Sequence, residues 1–156
     1  PAWQYEVVAP GFKYNLTDPA AAIGRVQLSR SAQMLAARTR IAEIYLRELS
    51  ATDLGLPNLP SGKDIHAWHL FVTRLAPDGI DRDTFITRMA AAGVSCSVHF
   101  IPLHKHPYWR DSYQLADQDF PVASREFERV VSLPCFSSMT DSQIERVIAA
   151  VKSSLT

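Results

Sequence analysis

The sequence predicts an α+β domain in which helices cover a small antiparallel or mixed sheet. Apolar residues recur at spacings of three and four over residues 18–50, which is typical of a helix. Two runs that are rich in aromatic and β-branched residues, 66–75 and 94–101, have the composition of strands. A shorter helix pattern follows the first run after a turn, and another follows the second run after a longer irregular segment. This order of elements favours an α+β arrangement.

The chain begins with residues 1–17, which we predict to be irregular or extended. The long helix starts where Thr17 or Asp18 can cap its free amide groups. Pro19 suits the first turn, because its missing N–H has no partner there. At ~1.5 Å per residue, a helix over 18–50 is long for such a domain. We therefore expect it to pack against a second domain or a partner subunit.

The region 51–156 contains the remaining elements. Its first part carries two prolines and two glycines at 53–63, which predicts a loop. Asp81 can cap a helix that Gly93 ends, and Thr140 with Gln143 has the spacing of a capping box that opens a last helix to about residue 153. We also predict, in chain order, a strand at 66–75, a turn at 77–79, a strand at 94–101, an irregular segment at 102–120, a helix at 121–131 and an extended piece at 132–134.

The composition argues against several classes of protein. Sixteen basic residues balance sixteen acidic ones, so no net charge attracts nucleic acid or an anionic membrane. The sequence has no apolar run long enough to span a bilayer and no secretory signal pattern. The two cysteines, Cys96 and Cys135, are expected to be buried free thiols, which fits a cytoplasmic location. Since residue 1 is Pro, we expect a processed chain or a part of a longer one.

Two loops carry residues that are suited to binding. Lys13 and Asn15 precede a helix N-terminus, where free N–H groups and partial positive charge favour an anion. The alternative is that Asn15 and Thr17 only shape the turn into the helix. The segment 101–109 places imidazole, ammonium and aromatic groups directly after a strand, where binding residues concentrate. The alternative for this segment is a surface loop stiffened by prolines.

A group of histidines leaves a metal-binding enzyme open as a further hypothesis. His99, His104 and His106 lie close together in the sequence, and imidazole binds zinc. Their spacing crosses Pro102 and matches no zinc signature, so we assign no metal ligands. This hypothesis requires stoichiometric bound zinc. The sequence also lacks the glycine patterns of nucleotide-binding loops and a Gly-x-Ser-x-Gly motif.

Nine short segments occur in a fixed order along nearly the whole chain: Gly11–Asp18, Ala21–Leu28, Ala67–Phe71, Arg82–Asp83, Gly93–Val94, His99–His104, Phe120–Pro121, Ser132–Pro134 and Met139–Asp141. This series resembles the C-terminal part of the DegT-type sugar aminotransferases, which use pyridoxal 5'-phosphate. The Lys-Tyr-Asn form of the first segment and the run Ile65–Phe71 are most similar to the UDP-4-amino-4-deoxy-L-arabinose branch, whose enzymes modify lipid A sugars.

The resemblance implies a fold type I aminotransferase, which as a whole is an α/β protein and a homodimer with its active site at the subunit interface. It implies transfer of an amino group from glutamate to a keto nucleotide sugar in lipopolysaccharide or related synthesis. In this reading residues 1–17 are an interface and cofactor loop, 18–50 an interdomain helix and 51–156 the small C-terminal domain. The partners are then a missing N-terminal domain that binds the cofactor and a second copy of the protein.

The resemblance also implies roles for individual residues. Asn15 would contact the cofactor phosphate in the neighbouring subunit, with Lys13 and Tyr14 beside it. His99 and His104 would lie near the pocket for the sugar nucleotide. No catalytic residue is assigned, because none of the four lysines of this chain has the context of the family's Schiff-base lysine. We therefore predict that the isolated chain is inactive and binds pyridoxal 5'-phosphate weakly or not at all.

The alternative function is a dimerisation or interaction module that derives from an aminotransferase but is not an enzyme. Such a module would expose an apolar face on residues 19–49. For a domain separated from its neighbours we also expect an apolar patch near Trp3, Phe12 and Tyr14, with a tendency to self-associate.

Overall fold

The computed structural model describes residue 6 and residues 9–156 of the chain. Trp3, one of the residues of the expected apolar patch, lies outside the described part. The chain divides into two compact units, residues 1–32 and 33–156. In the described part, the helices and strands are α1 (Asp18–Ser29), α2 (Ser31–Glu48), β1 (Phe71–Arg74), α3 (Arg82–Ala91), α4 (Pro107–Tyr113), α5 (Pro121–Phe127), β2 (Val130–Leu133) and α6 (Asp141–Leu155).

The first unit consists of an extended segment and helix α1. Thr17 precedes the helix in an extended conformation (φ −76°, ψ 151°). Its carbonyl accepts a hydrogen bond from the Ala21 N–H at 2.9 Å, which closes the first turn. Every residue of α1 keeps part of its surface exposed. The helix therefore starts where the sequence predicted, but the predicted cap is absent, because the Thr17 side chain makes no capping hydrogen bond.

The single long helix that the sequence predicted is divided at Arg30 (φ −96°, ψ −4°). The serines on either side both hydrogen-bond to the main chain. The Ser29 hydroxyl donates to the Val26 carbonyl at 2.8 Å, and the Ser31 hydroxyl donates to the Leu28 carbonyl at 2.7 Å. Such local bonds compete with the regular helical pattern. The prediction used the periodicity of the apolar residues, which these serine bonds do not change, so it did not indicate the break.

One hydrophobic core fills the second unit. Phe71 lies at its centre, fully buried, with the Tyr45 ring edge-on at 5.1 Å and the Trp68 ring stacked at 5.9 Å. The Tyr45 hydroxyl donates to the Pro134 carbonyl at 2.9 Å. Burial raises the pKa of this hydroxyl, so it stays a donor. The other large contributors to the core are Ile41, Leu49, Leu75, Phe85, Met89, Val131, Leu133, Ile144, Val147 and Val151.

The sheet is a pair of antiparallel strands in which Phe71 lies opposite Leu133 and Arg74 lies opposite Val130. This confirms the predicted antiparallel sheet with helices around it. The first strand is shorter than its predicted range, 66–75. The reason is Trp68, whose φ of 47° is left-handed and incompatible with a strand.

The second predicted strand, 94–101, is wrong in extent. It contributes one isolated bridge, in which Ser97 and Ser132 exchange backbone hydrogen bonds at 3.2 and 2.8 Å. Phe100 has a φ of 50° and ends any extended backbone there. The alternation of apolar residues therefore predicted a strand over 94–101, but the backbone forms no continuous strand there.

The segment predicted to be irregular, 102–120, holds helix α4 between two 3-10 turns at Leu103–Lys105 and Asp117–Asp119. The helix predicted over 121–131 is also too long, because α5 ends at Phe127 and β2 begins at Val130.

The predicted caps of α3 and α6 are confirmed. The Asp81 carboxylate accepts from the Thr84 N–H at 2.9 Å. Gly93 has a φ of 76°, which glycine adopts without steric cost. At the start of α6, the Thr140 hydroxyl accepts from the Gln143 N–H, and the Gln143 side chain accepts from the Thr140 N–H at 2.9 Å. Each of these bonds joins residues three apart, so local sequence determines them.

The Asp81 cap predicts a pH dependence of stability. The hydrogen bond from Thr84 holds the pKa of the Asp81 carboxyl below its ordinary value. The carboxylate therefore stabilises the fold above the unfolded pKa of about 3.9, and this contribution is lost as the pH falls through the lower folded value. Asp81→Asn keeps a capping oxygen but cannot titrate.

We expect the urea midpoint of the native chain to fall more steeply between about pH 5 and pH 3 than that of Asp81→Asn. Chemical denaturation at a series of pH values measures both. Parallel pH profiles for the two proteins would contradict the prediction.

Within the described part of the chain, no helix is both long enough and apolar enough to cross a membrane.

Candidate functional site

The three residues expected to contact a cofactor lie on an exposed arm, which is defined as residues 10–17 and precedes α1 in the chain. Lys13, Tyr14 and Asn15 are all exposed. The Phe12 and Tyr14 rings contact each other edge-on, with centroids 6.1 Å apart, and both are more than four-fifths exposed. The arm thus presents an ammonium group and a carboxamide beside the N-terminus of a helix. Together these groups offer donors and positive charge to an anion.

The four lysines of the chain lie in three kinds of surroundings. Lys13 and Lys63 are on exposed loops, and Lys152 is exposed on α6. Lys105 forms an ion pair with Asp117 at 2.7 Å. A lysine that holds a cofactor covalently requires a lowered pKa, which desolvation or a neighbouring cation provides. Lys13, Lys63 and Lys152 are exposed to solvent and Lys105 is paired with a carboxylate, so none of the four lies in the desolvated or cationic surroundings that this role requires.

His104 is buried at the centre of a polar cluster. Its side chain is 4% exposed, and its Nε2 atom lies 2.9 Å from the Ser124 hydroxyl and 3.3 Å from an Asp117 oxygen. The imidazole stacks on the Phe120 ring at 4.7 Å. The hydrogen bond from Lys105, with a smaller contribution from His104, lowers the pKa of Asp117. The cluster therefore holds the Asp117 carboxylate between the Lys105 ammonium group and the His104 imidazole.

His99 has different surroundings, although it is on the same segment. It is exposed, and its ring lies 4.2 Å from that of Phe100. His106 is half-buried at the start of α4. Among the residues that the structure describes, no group of three His, Cys, Asp or Glu side chains is placed to hold a metal ion. The geometry therefore gives the metal hypothesis no support.

Asp117 and Ser124 were not identified from the sequence. They lie 13 and 20 residues after His104, and no motif links them to it. They approach it because the chain reverses after α4, where Gln114 adopts a left-handed conformation (φ 53°). Beside the cluster is a groove of about 400 Å³, lined by His104, Lys105, Arg110, Leu115, Ala116 and Asp117.

The two cysteines are free thiols, as the sequence predicted, although both are half-buried rather than fully buried. Burial raises the pKa of Cys96 to about 11 and also raises the pKa of Cys135. Both thiols are therefore protonated near neutral pH, and neither is activated as a nucleophile.

Known proteins resemble this chain along almost its entire length. Residues 2–152 match the sequence profile of the DegT/DnrJ/EryC1/StrS aminotransferase family. The uncharacterized protein MJ1066 of Methanocaldococcus jannaschii is 40% identical over 154 residues, which are 97% of this chain and 40% of that protein.

Two solved structures share the fold closely. One is the putative sugar aminotransferase Spr1654 from Streptococcus pneumoniae in its PMP form, with a TM-score of 0.85, 26% identity, and coverage of 98% of this chain and 38% of that one. The other is the aminotransferase TlmJ from Streptoalloteichus hindustanus, with a TM-score of 0.83, 31% identity, and coverage of 98% of this chain and 40% of that one.

The chain thus spans about 40% of the length of these relatives. The profile match runs through the arm, the helices and strands described above as far as residue 152 in α6, and the His104 cluster. This chain belongs to the DegT/DnrJ/EryC1/StrS aminotransferase family.

Proposed function

We propose that these 156 residues are the C-terminal part of an aminotransferase that uses pyridoxal 5'-phosphate to move an amino group from glutamate to a keto nucleotide sugar. Family membership over residues 2–152 supports the reaction class. Similarity to a putative sugar aminotransferase supports the substrate class. The observation that carries the proposal within this chain is the exposed arm with Lys13 and Asn15, whose side chains are free to meet a ligand outside the chain.

The arm fits the phosphate of the cofactor. The Asn15 carboxamide offers N–H donors, Lys13 offers an ammonium group, and the first turn of α1 adds unpaired backbone N–H groups. The cofactor itself, when bound, supplies the electron sink for transamination. The lysines of this chain do not fit the covalent anchor, so that residue belongs to another part of the protein. On this proposal the isolated chain is inactive.

The same proposal places the phosphate in the site of a neighbouring subunit, so that two copies complete each other's sites. In this arrangement His99, which is exposed on the segment after residue 97, faces the sugar nucleotide. His104 lies behind His99, near the same pocket. The Lys-Tyr-Asn arm favours the UDP-4-amino-4-deoxy-L-arabinose branch and therefore lipopolysaccharide synthesis.

The proposal predicts that Asn15→Ala weakens cofactor binding in the full-length protein. Losing a hydrogen bond to a charged group costs about 1.5–3 kcal/mol, so we expect the Kd for pyridoxal 5'-phosphate to rise roughly 10- to 100-fold. Titration of the cofactor, followed by its absorbance, measures this change. Asn58→Ala, on the exposed loop before β1, is the matched control and should bind like the native protein.

Two results would oppose the proposal. Transamination by the purified 156-residue chain alone would show that no further polypeptide is needed. An unchanged cofactor Kd in Asn15→Ala would remove the arm from the cofactor site.

A second candidate is an interaction module without catalysis. Helix α1 favours it, because Ile23, Val26 and Leu28 are each more than half exposed. Ile23 and Val26, three residues apart, share one face of the helix, and the arm exposes the rings of Phe12 and Tyr14. Exposed apolar groups of this kind mark an interaction site. Sedimentation of the full-length protein without cofactor, combined with a glutamate-dependent activity assay, separates the two candidates. Stable dimers without any activity at saturating cofactor would favour the module.

A further inference from the structure

Three arginines of the second unit share one carboxylate, that of Glu126 in α5. The Nε atom of Arg74 lies 2.9 Å from one oxygen of Glu126. The other oxygen lies 3.3 Å from Nε of Arg125 and 3.9 Å from Nη1 of Arg129. Three positive charges thus face one negative charge, and a single carboxylate does not neutralise them. Such an excess of guanidinium groups favours a further anion at this place.

A fourth guanidinium group, that of Arg82, lies beside the residue that follows Glu126. It donates to the carbonyl of Phe127 and lies 4.7 Å from the centre of the Phe127 ring. Its contact with Asp83, at 3.5 Å, is long, and that carboxylate is 86% exposed. A guanidinium group has five N–H donors, so these contacts leave donors for a ligand. The proposed function gives Arg82 no role.

The Arg129 guanidinium group is also held in place by the backbone. Its Nε atom donates to the Leu75 carbonyl at 2.8 Å, and its side chain is 25% exposed. The distance of 3.9 Å to Glu126 is too long for a hydrogen bond, so the terminal nitrogens keep their donors. Backbone carbonyls therefore orient Arg82 and Arg129 before any ligand arrives. Binding of an anion costs less side-chain entropy here than at arginines that move freely.

All of these arginines except Arg74 line one groove of about 380 Å³. The loop between β1 and α3 forms another wall of the groove. Two acidic residues also line it, but the Asp81 carboxylate is engaged by the Thr84 N–H, and Glu128 is exposed. The groove thus has more basic than acidic groups, and its volume is in the range of small-molecule sites.

We propose that this groove binds the phosphate group of a small phosphorylated molecule, with Arg82, Arg125 and Arg129 as the donors. Guanidinium groups bind phosphate oxygens through pairs of parallel hydrogen bonds. A phosphate group carries about two negative charges, which matches the excess that Glu126 leaves on its three arginines. The groove belongs to the second unit and the arm to the first, so the two anion sites use different residues.

Calorimetric titration of the full-length protein, with its cofactor bound and free cofactor removed, tests the site with inorganic phosphate and with pyrophosphate. We expect saturable binding that Arg125→Gln weakens roughly 10-fold, because a hydrogen bond between charged groups is lost. Arg47→Gln is the matched control and should bind like the native protein. Arg47 is 67% exposed and pairs with Glu48 at 3.0 Å, much as Arg125 is 61% exposed and pairs with Glu126 at 3.3 Å.

Two further measurements locate the anion and identify its source. Arg129→Lys keeps the charge but loses the planar pair of donors, so it should also raise the Kd. Bound pyrophosphate should slow amide hydrogen exchange in residues 76–82 and 125–129 and leave α6 unchanged. Tighter binding of pyrophosphate than of phosphate would support the proposal with a diphosphate ligand, and equal binding would support it with a single phosphate group.

Three results would overturn the proposal. The first is that neither anion shows saturable binding to the native protein. The second is that Arg125→Gln binds like the native protein, or no worse than Arg47→Gln, since binding would then not depend on the groove. The third is protection from exchange that is confined to residues 10–17, which would place the anion on the arm.

Discussion

Replacing Phe71 with alanine should cost about 3–5 kcal/mol of the free energy of unfolding. Phe71 is fully buried, and its ring contacts both Tyr45 and Trp68. Removing it leaves a cavity between helix α2 and the sheet, in addition to the lost apolar burial. Since domains of this size are stable by about 5–15 kcal/mol, the variant loses a large share of its stability.

Urea denaturation of the 156-residue chain measures the effect. Phe71→Leu fills most of the space and should cost about 1.5 kcal/mol or less, so it provides a measurable value if the alanine variant does not fold. Phe12→Ala, at an exposed phenylalanine of the arm, is the matched control and should change stability by less than about 0.5 kcal/mol. Equal midpoints for Phe71→Ala and Phe12→Ala would contradict the described core.

Substitutions at Trp68 should follow an unusual order of stability. The side chain is 2% exposed and stacks on Phe71, so Trp68→Ala should cost about 3–5 kcal/mol. The φ of Trp68 is 47°, a conformation that penalises every side chain but not glycine. We therefore expect Trp68→Gly to be more stable than Trp68→Ala, by about 1 kcal/mol.

Val72, in strand β1, provides the comparison. In a strand, glycine is less favourable than alanine by about 0.5–1 kcal/mol, so Val72→Gly should be less stable than Val72→Ala. Thermal or urea denaturation of the four variants gives both differences. The same order at the two positions would show that residue 68 does not have a left-handed backbone in solution.

The hydrogen bonds of Trp68 explain how its left-handed backbone conformation is maintained. Its N–H donates to the His66 ring nitrogen at 2.9 Å, and its carbonyl accepts from the Arg38 guanidinium at 3.2 Å. The Arg38 contact joins residues 30 positions apart, so no local pattern indicates it. The sequence therefore predicted a strand over 66–75, but β1 begins only at Phe71, because the contacts with His66 and Arg38 hold Trp68 in a left-handed conformation.

The features that the sequence predicted correctly are local. The caps at Asp81 and Thr140 and the glycine at 93 act over three or four residues. The resemblance to the sugar aminotransferases also needed only short segments in order, and the family match over residues 2–152 confirms it. The exposed arm with Lys13, Tyr14 and Asn15 was likewise selected from sequence alone, and its role at the cofactor stays a prediction.

The features that only the tertiary structure decided are those that join distant parts of the chain. His99 and His104 are five residues apart and belong to one motif, yet one is exposed and the other is buried against Ser124. That difference arises because the turn after α4 brings α5 back to His104 across 20 residues. By itself the sequence determined the family and the caps of α3 and α6, and it selected the candidate binding segments, whose roles stay predictions. Side-chain burial and backbone strain at Trp68, Phe100 and His104 depend on contacts between elements, which no local spacing encodes.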